Sequence, residues 1–115
     1  MLYFFEYGIF DNEKEMEENT INLENYIYQI ADNKYYVYVG ISKSDEVIKK
    51  INNHFTNLGY STKVKEFYVT NEKFISTIEN YDAILLLTDD STTIGSIISD
   101  GLNAYEEEVI SESKN

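Results

Sequence analysis

A chain of 115 residues has room for one small domain with a single packed core, and the absence of Cys excludes disulfides, zinc–thiolate sites and thiol chemistry. Nine Lys, no Arg and 21 Asp and Glu give a formal net charge of −12. Direct DNA binding is not expected, because it rests on basic clusters that displace counterions.

The acidity has two readings, solubility or a face shaped for a basic partner. Tyr, present 11 times, suits the second reading when mixed with Asp and Glu. No basic leader precedes the first apolar residues, and no apolar run approaches the roughly 20 residues of a membrane span. The expected setting is the cytoplasm, with no membrane contact.

Residues 2–9 read as a first strand, with Gly8 marking a bulge or close backbone approach near its end. The acidic run 11–18 is a loop or the solvated turns of a helix. From Thr20, the spacing of Leu23, Tyr26, Ile27 and Ile30 predicts an amphipathic helix ending near Asp32-Asn33. Residues 35–41 alternate as a second strand. Ser42 to Glu46 then supply a cap and first-turn carboxylates for a helix carrying Val47, Ile48, Ile51, Phe55 and Leu58, closed by Gly59 as a left-handed C-cap. His54, the chain's one His, lies beside that stripe and reads as a surface or half-buried residue rather than a ligand.

Residues 63–69 form a third strand whose charges suit an edge. Thr70 or Asn71 caps a short helix through Phe74, Ile75 and Ile78. The run Ala83-Ile84-Leu85-Leu86-Leu87, within residues 81–90, reads as a fourth strand buried on both faces. Ile94, Ile97, Ile98, Leu102, Tyr105 and Val109 then repeat at helical spacing; Gly95 and Gly101 weaken that helix unless they allow close packing on the sheet. Residues 111–115 are expected to fray. The alternation β-α-β-α-β-α-β-α predicts a single domain over residues 1–110, a three-layer α/β/α fold with a mainly parallel four-stranded sheet.

In such sheets ligands sit beyond the carboxyl ends of the strands. That rule gathers Glu6, Asp11, Ser42, Ser44, Asn71, Glu72, Asp89, Asp90, Ser91 and Thr92, and makes Glu6, Asp89 and Asp90 candidate oxygen ligands for Mg²⁺ or Mn²⁺. The competing reading is that Asp90 and Ser91 cap the last helix and the others are solvated loop residues.

Glu6, the Tyr-rich segment Tyr36-Val37-Tyr38-Val39-Gly40, the segment Phe55-Thr56-Asn57-Leu58-Gly59-Tyr60-Ser61-Thr62-Lys63 and the run 81–90 together resemble NYN domains, relatives of the PIN nucleases. The resemblance implies a divalent-metal-dependent ribonuclease with Glu6, Asn71 or Glu72, Asp90 and Thr92 at the metal-binding positions. The run Asp82 to Asp89 with Gly95 also resembles nucleoside deoxyribosyltransferase-type domains, without a counterpart to their catalytic Glu.

Two functions follow. The preferred one is a non-catalytic acidic protein, without cofactor, that blocks a basic partner as an immunity protein, antitoxin, inhibitor of a nucleic-acid-handling enzyme or nucleic-acid mimic would. Its expected contact residues are Glu13, Glu15, Glu17, Glu18, Tyr26, Tyr28, Tyr105, Glu106, Glu107 and Glu108. The alternative is the ribonuclease with Mg²⁺ or Mn²⁺. A homo-oligomer burying the Tyr-rich strand or the C-terminal helix is a third reading.

Overall fold

The structure, a computed structural model, describes residues 1–110, so the tail expected to fray lies outside the described residues. Strand β1 (Leu2–Phe10) runs through the sheet interior, paired on one side with β3 (Lys34–Ser42) and on the other with β4 (Lys63–Phe67); β2 (Ile27–Ala31) completes the order β2-β3-β1-β4. Every neighbouring pair is antiparallel. Strands β3 and β4, both antiparallel to β1, are parallel to each other, and helix α2 (Asp45–Asn57) is the crossover between them. This is a β-α-β unit split by an inserted strand. Helix α1 (Glu13–Thr20) follows β1, while α3 (Glu72–Leu86) and α4 (Ser91–Tyr105) follow β4, and a π-helical turn over Glu106–Ile110 extends α4.

The expected parallel sheet is thus overturned, and two local misreadings account for it. Residues 81–86, expected to begin a central strand, form the second half of α3. Of the apolar run 83–87 only Ile84 is β-branched, whereas Ala and Leu are strong helix formers. Asn71 caps the helix by accepting a hydrogen bond from Phe74 N (2.9 Å). The run is also less buried than a central strand requires: Leu85 is covered, but Leu87 is 89% exposed.

The second misreading concerns residues 20–30. Instead of a helix, residues 27–31 form β2, which turns into β3 through Asp32 (φ 52°) and Asn33 (φ 63°). Two consecutive left-handed residues between antiparallel strands match the twist of a tight hairpin, and short polar side chains tolerate that conformation best. A signal taken for a helix stop was a hairpin turn. The acidic run, by contrast, is helical in α1: Asn12 accepts from Glu15 N (2.8 Å), and Met16 and Thr20 turn inward.

Along the β1–β3 ladder, Phe5 pairs with Gly40, Glu6 with Tyr38 and Gly8 with Val37, which leaves Val39 and Tyr7 as offsetting bulges. Successive strand residues point to opposite faces. Phe4 accordingly joins Leu2, Ile27, Tyr38, Phe74, Leu102 and Tyr105, whereas Phe5 joins Val39, Val47, Ile51, Phe55, Leu85 and Ile98. Edge-on contacts link Phe4 to Phe67, Tyr105 and Tyr38, with ring centroids 5.0, 5.4 and 5.6 Å apart. Gly101 lets α4 approach α3, since a Cβ there would lie 3.5 Å from Ile78 Cδ1. The close packing it permits is on a helix, not on the sheet.

Asp82, in mid-α3, ties that helix to the β3–α2 connection. Its carboxylate is 5% exposed and accepts hydrogen bonds from Ser42 Oγ (3.0 Å) and Lys43 N (2.9 Å). Burial raises its pKa, against the lowering effect of those bonds.

Candidate functional site

A cavity of about 240 Å³ opens between α2, α4 and the loop 22–25. The loop is pinned at both sides. Asn25 Nδ2 donates to Ser99 Oγ (3.0 Å) and Asn103 Oδ1 (3.0 Å) on α4, and Tyr60, just past α2, donates its hydroxyl to Asn22 O (3.3 Å). Apolar walls come from Leu23, Val39, Phe55, Leu58, Ile98 and Leu102.

His54 lines this cavity from the last turn of α2, 9% exposed. Its imidazole packs edge-on against Phe55 (centroids 5.3 Å apart) and hydrogen-bonds to no other described residue. Burial lowers its pKa, with Glu24 pulling the other way. The ring is therefore held toward its neutral form.

Gly95, in α4, is the floor between the two. A Cβ built there would sit 2.9 Å from Glu24 Oε2 and 3.4 Å from His54 Nε2. A glycine inside a helix costs about 1 kcal/mol relative to alanine, and here it leaves space for a carboxylate and an imidazole to converge on the helix backbone. Gly95 had suggested packing on the sheet; what it admits is this pair of side chains.

The residues expected to bind metal are dispersed. Glu6 lies within β1, 6% exposed, with Lys65 Nζ 3.8 Å from its Oε2. It lines a second groove, about 270 Å³, with Gln29, Tyr36, Tyr38 and Phe67. In that groove burial, and then the charge of Glu6, push the Tyr38 pKa up to about 12. Asp89 pairs with Lys50 (3.6 Å) in the α3–α4 connection. Asp90 caps α4, accepting from Thr93 N (2.8 Å) and Thr93 Oγ1 (2.7 Å), bonds that hold its pKa low. Glu72 and Thr92 are exposed in the first turns of α3 and α4. Among the described residues no three His, Asp or Glu side chains are grouped to hold a metal ion. An antiparallel sheet sends the carboxyl ends of neighbouring strands to opposite edges, so the rule that gathered these residues does not apply to it.

The expected contact residues divide. Glu13, Glu17, Glu18, Glu106, Glu107 and Tyr28 are exposed, and Glu15 is half-buried. Glu108, also half-buried, accepts a hydrogen bond from the Thr77 hydroxyl (3.3 Å). Tyr26 packs on the cluster around Phe5. Tyr105 belongs to the core, 8% exposed against Phe4 and Phe74, its hydroxyl accepting from Gln29 Nε2 (3.0 Å). It cannot serve as a surface anchor.

Among the described residues no helix is long and apolar enough to cross a membrane. Compared with known proteins, the chain matches no family model, no curated protein and no solved structure.

Proposed function

We propose that this chain is a small acidic binding protein that covers a basic site on another macromolecule, in the manner of an immunity protein, an antitoxin or an inhibitor of a nucleic-acid-handling enzyme. The observation that carries the reading is how few carboxylates are neutralised. Among the described residues, ion pairs engage only Asp11, Glu79, Asp89 and Glu6. Glu13, Glu17 and Glu18 on α1, and Glu106 and Glu107 after α4, face solvent outside these pairs.

Aromatic surface adds to the charge. Tyr28 and Ile30 on β2 are 42% and 60% exposed, and the Tyr28 ring lies 5.7 Å from that of Tyr35. Long-range attraction speeds encounter with a basic partner, while desolvated aromatic anchors supply most of the affinity. The Cys-free chain suits the reducing cytoplasm as the setting.

The test compares the protein with its E13Q/E17Q/E18Q/E106Q/E107Q variant as bait in a lysate of the host. A basic protein held by the native bait at low salt, released at high salt and not held by the variant supports the reading. A partner held equally by both baits, or RNA alone, overturns it.

A further inference from the structure

We propose that the cavity walled by His54, Glu24 and Gly95 is a binding site for a small primary amine with an apolar body. Three features of the cavity select that chemistry. Among the described residues Glu24 is the one formally charged residue lining it, and the whole chain is strongly acidic, so anions are disfavoured and cations favoured. His54 lines the cavity without a hydrogen-bond partner among the described residues, and since no fully buried side-chain nitrogen or oxygen there goes unpaired, its ring nitrogens are open to the cavity.

An alkylammonium offers three donors and no acceptor. It matches a carboxylate oxygen and a neutral ring nitrogen that both approach one point above Gly95. The remaining walls are those an aromatic or aliphatic body needs: Leu23, Val39, Phe55 and Ile98. The cavity, at about 240 Å³, falls below the range of roughly 300–1,000 Å³ that holds drug-sized ligands, so the occupant is a small amine.

Gly95 fits this role better than a packing one. The atom nearest its missing Cβ is Glu24 Oε2 at 2.9 Å, the movable end of an exposed side chain, so a methyl there would turn that carboxylate away from the space it shares with His54.

The experiment uses benzylamine and its neutral analogue benzyl alcohol as probes, with the ring protons of the chain's only His as the NMR reporter. Benzylamine is expected to shift the His54 signals saturably, with benzyl alcohol weaker by about tenfold or more. Glu24→Gln is expected to erase that preference. Gly95→Ala is expected to abolish the response to benzylamine, and because it replaces a mid-helix glycine by the best helix former, unfolding cannot account for the loss. The proposal is overturned by no saturable shift in the native protein, by equal affinity for the two probes, or by native-like benzylamine binding in either variant.

Discussion

Replacing Asp82 tests whether one buried carboxylate fixes α3 to the β3–α2 connection. Asp82→Ala removes the acceptor for Lys43 N–H and for the Ser42 hydroxyl. The hydroxyl has a second acceptor, Ser44 O at 3.3 Å, so the stranded donor is the Lys43 amide. That bond is only part-buried, so the loss falls toward the low end of the about 1–3 kcal/mol of an orphaned donor, and with the small void left behind the total expected is about 2 kcal/mol. With a urea m-value of about 1–3 kcal/mol/M, the midpoint falls by about 0.7–2 M. Asp82→Asn is different. Its Oδ1 accepts from Lys43 N–H and its Nδ2 donates to Ser42 Oγ, so the loss stays within about 1 kcal/mol at neutral pH. The pH dependence has a definite sign. Burial raises the folded pKa of Asp82 above its ordinary 3.8, so the group's contribution is complete below that value and is lost as pH rises through the folded one. The asparagine carries no such loss, and the stability of the native protein relative to Asp82→Asn must decline from acid to neutral pH. Urea titrations followed by far-UV circular dichroism at pH 4, 5, 6 and 7 measure both effects. An Asp82→Ala variant as stable as the native protein, or a constant difference between native and Asp82→Asn, would refute the reasoning.

Tyr38, with its pKa pushed up to about 12, should be among the last tyrosines to ionise in a 295 nm titration. Because the folded value is raised, stability is lost as pH climbs through the window from 10 to about 12, and Tyr38→Phe should lack that part of the alkaline loss while matching the native protein at pH 7. Gly59 adopts φ +90° with nothing within 4 Å of its missing Cβ, so Gly59→Ala isolates backbone strain and should cost about 1 kcal/mol by thermal melting. Removing the cap with Asp90→Ala should lower the melting temperature. Since the Thr93 bonds hold the Asp90 pKa down, the difference from native should shrink as pH falls through that lowered value.

Several elements were legible because their residues agree with local rules. The alternation of residues 35–41 reappears as β3, the apolar stripe and first-turn carboxylates of residues 45–58 as α2, although the expected hydroxyl cap does not form because Ser44 makes no side-chain cap bond, and the charged third strand as the edge strand β4, where all but Phe67 are exposed. The sheet's direction was not legible, because it hinged on two short segments. Ile27 and Ile30 are spaced three apart, which fits a helix turn, yet they belong to a five-residue strand too short to show its own period. The run 83–87 is too short to distinguish a buried strand from one flank of a helix, and only the long stretch from the Asn71 cap to Leu86 decides it. One hairpin gained and one strand lost converted an alternating parallel pattern into an antiparallel sheet around β1. The candidate site was half visible. Gly95 stood out as a costly residue in a helix and His54 as a lone imidazole, but Glu24, in a loop with no periodicity, gave no sign that it would meet them.

The two exposed groups of glutamates are not equivalent, and helix electrostatics separates them. Glu13 and Glu15 occupy the first turn of α1, where the partial positive charge of the helix N-terminus favours carboxylates, so their placement has a local benefit. Glu106, Glu107 and Glu108 follow the last turn of α4, which has no basic residue, and there the partial negative charge of the helix end opposes them. Three adjacent acids at the wrong end of a helix also repel one another. The Thr77 hydroxyl partly compensates Glu108, whereas Glu106 and Glu107 have no such partner among the described residues; residues that break a local rule without local compensation are where function is expected, and a basic partner would supply the missing compensation for these two. Glu106→Gln/Glu107→Gln should therefore raise the melting temperature of the free protein at low salt, with the gain shrinking as added salt screens the charges. Glu13→Gln should lower it. If the first variant is instead less stable than the native protein, these glutamates have a structural role and the partner-facing surface must be sought on α1.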